Sequence, residues 1–232
     1  MGCCSSRHEP FMQRNSLIPL NFYEQETSIQ KVEKLLPFAD KDSDYLIKQI
    51  VSKGKSGQNS PIRQRRMAIN LGLDPSSFTS QDSNTSKALS LLKSENPETH
   101  FTNLSLFALL IGKGTETEKA RLLIELLSDE ESVQKERFLE IIEEMVIISS
   151  FKIPQMAVIY EEISQEEFEE YTSPMVAYSD KLIYKFCLNF FGPKKSLTKD
   201  ELLQSLEDSS LLGKLFSPKK IRNEIKNNLI MS

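Results

Sequence analysis

The residues with the plainest chemistry stand at the start of the chain, Met1-Gly2-Cys3-Cys4-Ser5-Ser6-Arg7. Removal of Met1 exposes the α-amine of Gly2, and Ser6 then lies where an N-myristoyl acceptor wants a hydroxyl. Cys3 and Cys4 follow at once, where a myristoylated chain held at a bilayer would take palmitate as thioesters. One myristoyl chain binds a bilayer only marginally, so stable anchoring takes a second signal, and two adjacent thiols supply it. Gly2, Cys3 and Cys4 are therefore the expected lipidation sites. They imply a protein held by acyl chains on the cytoplasmic face of a membrane, the plasma membrane foremost.

Other chemistry is sparse. His8 and His100 are the only histidines, and neither has a Cys or His partner at metal-ligand spacing, which argues against a zinc site. Cys187 stands alone in an apolar helical pattern and reads as a small core residue. The segment from Lys53 to Ser60 has loop composition but lacks the spacing of a phosphate-binding loop. A catalytic site needs a nucleophile with a base, a metal cluster or a glycine-rich cofactor loop. None is legible, so the chain is expected to be no enzyme and to need no cofactor and no metal. A net charge of −4 gives no electrostatic reason to bind nucleic acid.

Two basic clusters are candidate contacts with anionic lipid, each charge near the surface adding about 1 kcal/mol. One is Arg63, Arg65 and Arg66; the other is Lys214, Lys219, Lys220, Arg222 and Lys226. Ordinary solvated helix surface is the alternative for both. Ser60-Pro-Ile-Arg63 and Ser217-Pro-Lys-Lys220 resemble proline-directed kinase sites, which makes Ser60 and Ser217 candidate phosphorylation sites. Phosphate there would cancel the pull of the neighbouring cations. Six glutamates between Glu161 and Glu170 read as a solvated face.

The elements that position these residues are helical. Hydrophobic residues make up 39% of the chain, enough for a core, while its apolar runs, Met145 to Ile148 among them, are too short to span a bilayer. No apolar stretch of a secretory signal follows Arg7. Residues 8–20 read as an arm between lipid and body. Helical spacing starts near Thr27 and carries Ile29, Val32, Leu35 and Leu36 to Pro37, and a second helix runs from Asp44 to Lys53. A third begins at Pro61 and carries Met67, Ile69 and Leu71 to a Gly72 cap. Residues 74–86 form a polar linker, followed by a helix over Lys87–Lys93.

From Phe101 onward the pattern sharpens, with capping boxes at Thr115/Glu118, Ser164/Glu167 and Thr198/Glu201. Pro154 is expected to close one helical unit, and a short acidic helix after Ser164 to precede a separate helix with Leu182, Phe186 and Phe190. Nothing alternates at period two for long enough to predict a strand. The fold class is all-α, with helical pairs in two lobes: an acylated arm over 1–20, a lobe over 21–96, and a second lobe over 97–232.

Within the second lobe two stretches share one layout: helix, polar loop, a lone aliphatic, four polar residues, helix. They are Glu118–Ile148 around Val133 and Asp180–Glu207 around Leu197. This layout resembles the EF-hand, in which the residue at loop position eight pairs with its twin in the neighbouring hand. The approach Phe107-Ala-Leu-Leu-Ile-Gly-Lys-Gly-Thr-Glu-Thr-Glu-Lys119 is similar to the run into the third hand of calcineurin-B-like and neuronal-calcium-sensor proteins, many of them N-myristoylated. The resemblance implies paired helix–loop–helix units. It fails at the ligands. Calcium takes oxygens from positions 1, 3, 5, 7, 9 and a bidentate Glu at 12, with Gly at 6. The first loop, counted from Val133, offers Leu126, Ser128 and Glu130 at positions 1, 3 and 5, Glu131 at 6 and Arg137 at 12; a shorter loop starting at Ser128 is the alternative. The second offers Phe190, Gly192 and Lys194, with only Glu201 at 12. Both loops are expected to be unable to hold calcium.

The cluster Asp40-Lys-Asp42-Ser-Asp44 matches positions 1, 3 and 5, but Tyr45 and Val51 occupy 6 and 12, so a turn with an Asp cap is the better reading. Residues 101–232 are also similar to the helical region that precedes the TLDc domain in some myristoylated proteins. The function these features imply is a non-catalytic adaptor that takes a partner's amphipathic helix in an apolar groove lined by Phe107, Phe138, Met145, Phe186 and Phe190. A calcium sensor with a lipid anchor, and a structural protein of a membrane-bound cytoskeleton, are the alternatives.

Overall fold

The computed structural model describes residues 22–54, 61–75, 83–128 and 130–230. Its elements run α1 Phe22–Leu35, α2 Ser43–Gly54, α3 Pro61–Asn70, α4 Asn84–Ser90, α5 Pro97–Ile111, α6 Glu116–Leu127, β1 Ser132–Gln134 and α7 Lys135–Ile147. A π-helical turn at Ile148–Lys152 leads into α8, Ile153–Ile159. Then follow α9 Gln165–Phe191, β2 Ser196–Thr198, α10 Lys199–Asp208, α11 Leu212–Leu215 and α12 Pro218–Ile230. The fold is all-α, with one two-stranded ribbon among the described residues.

The three capping boxes form as the sequence requires. In each, the Ser or Thr hydroxyl accepts from the N3 backbone N–H while the N3 Glu accepts from the cap's own N–H. That satisfies two of the amides a helix start leaves unpaired. Two helix ends differ from expectation. Pro154 does not close a unit: α7, the π-turn and α8 follow one another without a break, and the proline, which has no N–H to give, sits in the first turn of α8. The π-turn before it absorbs the change of register. Pro174 lies inside α9, and the helix continues through it for 27 residues, so the acidic segment and the Leu182–Phe190 stripe are one element. Two expected core positions, Leu35 and Ile69, are more than half exposed.

One buried apolar cluster runs from Phe22 to Ile225. The boundary placed after residue 96 coincides with the start of α5 but not with a seam in this core, since α2 lies along α5. The joint is tight. Ser43 N donates to Lys113 O (2.9 Å), Lys113 N donates to Lys41 O (2.7 Å), and the buried Ser43 hydroxyl donates to Ala108 O (3.2 Å). Gly112 leaves space for this approach: a Cβ there would fall 2.6 Å from both Ala108 O and Ser43 Oγ. No described helix is long and apolar enough to cross a membrane.

Candidate functional site

The two helix–loop–helix units meet where β1 and β2 pair antiparallel, with Val133 directly opposite Leu197. Those are the two lone aliphatics singled out by the sequence, and both side chains are buried. The strands are three residues each, too short to show as alternation, and the ribbon adds a small β element to the expected all-helical body. Beyond the ribbon, Lys135 N donates to Lys195 O (2.8 Å) and Lys199 N donates to Glu131 O (3.0 Å).

Most residues at would-be ligand positions are otherwise engaged. Leu126 and Phe190 belong to helices α6 and α9 and pack with the core. Ser128 Oγ accepts from Glu130 N (2.9 Å). Arg137 points its guanidinium at Glu140 (3.0 Å). The carboxylate of Glu201 accepts from Thr198 N (2.9 Å) and from Lys194 Nζ (3.0 Å). The Thr198 N–H, with Lys194 next, holds that carboxyl below its ordinary value. Lys135 Nζ crosses to the facing loop and donates to Gly192 O (2.9 Å).

The aspartate cluster is likewise committed. Asp42 Oδ1 caps α2 by accepting from Tyr45 N (3.0 Å), Asp44 pairs with Lys48 (2.7 Å), and Asp40 faces Lys113 (3.6 Å). Among the described residues no group of three or more His, Cys, Asp or Glu is placed to hold a metal ion. Burial pushes the Cys187 thiol up, as befits an inert core residue.

Gly2, Cys3, Cys4 and Ser60 lie outside the described residues. Ser217 is half-buried at the start of α12, its hydroxyl accepting from Lys220 N (3.4 Å). Two expectations need correction. The C-terminal basic cluster is not a free surface: Lys214 pairs with Glu224 (2.6 Å) and Lys220 with Glu116 (3.2 Å), Lys226 lies over the rings of Phe22 and Tyr23, and Arg222 is fully buried. The reason is that α12 packs against α9 and the π-turn rather than facing solvent along that stripe, and α1 meets it through Arg222. The expected groove residues Phe107, Phe138, Met145, Phe186 and Phe190 are all buried, and Phe138 contacts the Phe190 and Phe191 rings edge-on and tilted. They form core, not an open groove.

Three features escaped the sequence. The first is a buried polar clasp between the first and last helices. Arg222 donates from Nε and Nη2 to both oxygens of Glu26 (3.0 and 2.7 Å), from Nη2 to Glu33 (2.7 Å), and from Nη1 to Ser149 O (3.0 Å). Tyr171 and Gln30 also donate to Glu26. Burial works to raise the Glu26 carboxyl, yet the charge and hydrogen bonds of Arg222, with those of Tyr171 and Gln30, bring it below its ordinary value. The available signal was a pair of opposite charges inside apolar stripes: Glu26 between Phe22 and Ile29, and Arg222 between Ile221 and Ile225. The second feature is Lys119, whose buried amine is pushed down to about 8 by desolvation. The third is an open trough between α2 and α6, of about 710 Å³, bounded by Lys48, Val51, Leu122, Leu126, Arg137 and Lys199. Set against protein-family models, curated proteins and solved structures, the chain matches none.

Proposed function

We propose that this chain is a lipid-anchored, non-catalytic adaptor, a degenerate EF-hand-like body that binds a partner protein at the cytoplasmic face of a membrane. The observation that carries the reading is the Val133–Leu197 ribbon between two loops whose ligand positions hold Leu126, Arg137, Phe190 and Lys194. A paired helix–loop–helix with cations in the place of carboxylates supports a fixed binding body rather than a calcium sensor. The terminal Gly2, Cys3 and Cys4 supply the anchor in this reading. Affinity capture from membranes, comparing the native chain with Gly2→Ala, tests it. Mass spectrometry of the native chain is expected to find myristate on Gly2 and a thioester on Cys3 or Cys4, and capture to lose location-dependent partners in the variant. A bare amino terminus, or tight stoichiometric calcium uptake in calorimetry, would overturn it.

A further inference from the structure

The trough between α2 and α6 differs from the rest of the surface. The body is acidic, with a net charge of −4, yet this concavity has Lys48, Arg137 and Lys199 around it and, among the described residues, a single lining carboxylate, Glu125. Lys48 is shared with Asp44 and Arg137 with Glu140, both on exposed side chains, while Lys199 forms no ion pair among the described residues. Its floor is apolar: Leu122 is buried, Val51 and Leu126 half-buried. Apolar floor plus cationic rim is the complement of an amphipathic segment with aliphatic residues on one side and carboxylates on the other. The volume of about 710 Å³ lies in the range of ligand-holding clefts and suits a few side chains of a docked segment rather than a whole domain.

We propose that this trough is the docking surface for an acidic amphipathic peptide segment of the partner, its aliphatic side chains over Val51, Leu122 and Leu126 and its carboxylates at Arg137 and Lys199. The proposal rests on the adaptor reading, whose partner it describes chemically. Arg137 and Lys199 stand on different elements, the first turns of α7 and α10, which the ribbon holds together. The charge pattern is thus set by the same pairing that joins the two loops. Rim charges of this kind set specificity and on-rate more than raw affinity, so discrimination between peptides of opposite charge is the property to measure.

The test uses the full chain and two labelled 16-residue helical peptides of identical leucine pattern, one with Glu and one with Lys at every polar position, read by fluorescence anisotropy. The native chain is expected to bind the Glu peptide at least tenfold more tightly, with affinity falling between 50 and 500 mM salt. In Arg137→Glu/Lys199→Glu, with unchanged circular dichroism, the preference reverses. Val51→Ser/Leu126→Ser weakens both peptides about equally. Equal or tighter binding of the Lys peptide to the native chain overturns the proposal, as does a preference that survives the charge reversal, or no binding of either. Phosphatidylserine vesicles serve as a third probe: binding of these alone, lost in the charge-reversed chain, would make the trough a lipid contact and also refute it. Peptide binding does not depend on acylation, so its failure is distinct from failure of the anchor, which Gly2→Ala reports.

Discussion

Replacement of Arg222 by Met tests the clasp that joins the first and last helices. The guanidinium is fully buried and makes three hydrogen bonds to carboxylates and one to a carbonyl. Its loss leaves Glu26, itself buried, without a countercharge. Breaking a buried pair by removing one partner costs about 3–5 kcal/mol, against a whole-domain stability of roughly 5–15 kcal/mol. Glu33 keeps partial access to water and contributes less to the penalty. Urea unfolding followed by circular dichroism should therefore show the midpoint falling by about 1–3 M. The pH dependence carries the sign of the argument. In the native chain the Glu26 carboxyl is held below the value of 4.5, so its contribution is present above that pH and fades as pH falls through the depressed value. In Arg222→Met burial is opposed only by the hydrogen bonds of Tyr171 and Gln30, and the carboxyl rises. The variant is then penalised above pH 4.5 and relieved as the group takes up a proton, so its deficit shrinks between pH 7 and pH 5. The double variant Arg222→Met/Glu26→Gln should recover most of the loss, because no charge remains buried there. A deficit below about 1 kcal/mol, or one that stays constant from pH 7 to 5, would refute the reasoning.

Two further perturbations follow from the α2–α5–α6 joint. Lys119→Met should stabilise the fold at pH 7 by about 1–2 kcal/mol, out of at most about 3 kcal/mol available at 1.4 kcal/mol per tenfold. The folded amine, at about 8, takes up its proton less readily than an unfolded lysine near 10.5, so the native penalty is full below pH 8 and fades as pH rises towards 10.5. Thermal melts at pH 7 and pH 10 should show the gain at the first and little at the second. Gly112→Ala should cost about 2–3 kcal/mol, since the new methyl meets Ala108 O and Ser43 Oγ at 2.6 Å while the backbone φ of −65° is unstrained. Calorimetric melting of the two chains gives that figure directly.

Local signals were legible in the sequence and long-range ones were not. Each capping box needs only residues three apart, and all three formed. The pairing of Val133 with Leu197 spans 64 residues, but it could be anticipated because the repeat of one layout places both at equivalent positions. The continuity of α9 was hidden by Pro174 and by the change from acidic to apolar composition around it, although packing against α7, α12 and the π-turn holds the helix through the proline. The π-turn has no composition signal. The Arg222 clasp joins residues 196 apart, and its charges on otherwise apolar stripes look like surface residues until the opposing helix is known. The same blindness affected the C-terminal lysines: Lys220 and Lys226 of α12 find Glu116 on α6 and Phe22 on α1, and Lys214 of α11 finds Glu224 on α12. Aromatic residues of the paired helices signalled burial correctly and an open groove wrongly, because periodicity cannot tell a filled interface from an empty one.

In the proposed adaptor reading, the loop pair is joined by the chain's own groups. A metal in such a site supplies positive charge that draws carbonyls and carboxylates of two helices together. Here Lys135, at the first position of α7, reaches Gly192 O just beyond the last turn of α9. A cation at a helix C-terminus is favourable by about 0.3–1 kcal/mol, and Gly192 supplies the turn with a φ of +54°. This cation is covalently part of the chain, and the adaptor reading expects the ribbon to hold at any calcium concentration. Lys135→Met should cost about 1 kcal/mol and speed amide hydrogen exchange at Ser196–Thr198 and in the last turn of α9, leaving the clasp at Arg222 protected. Millimolar calcium should restore none of that protection. If it does, the loops retain an ion site that Lys135 merely occupies, and the chain is a sensor with its switch held closed.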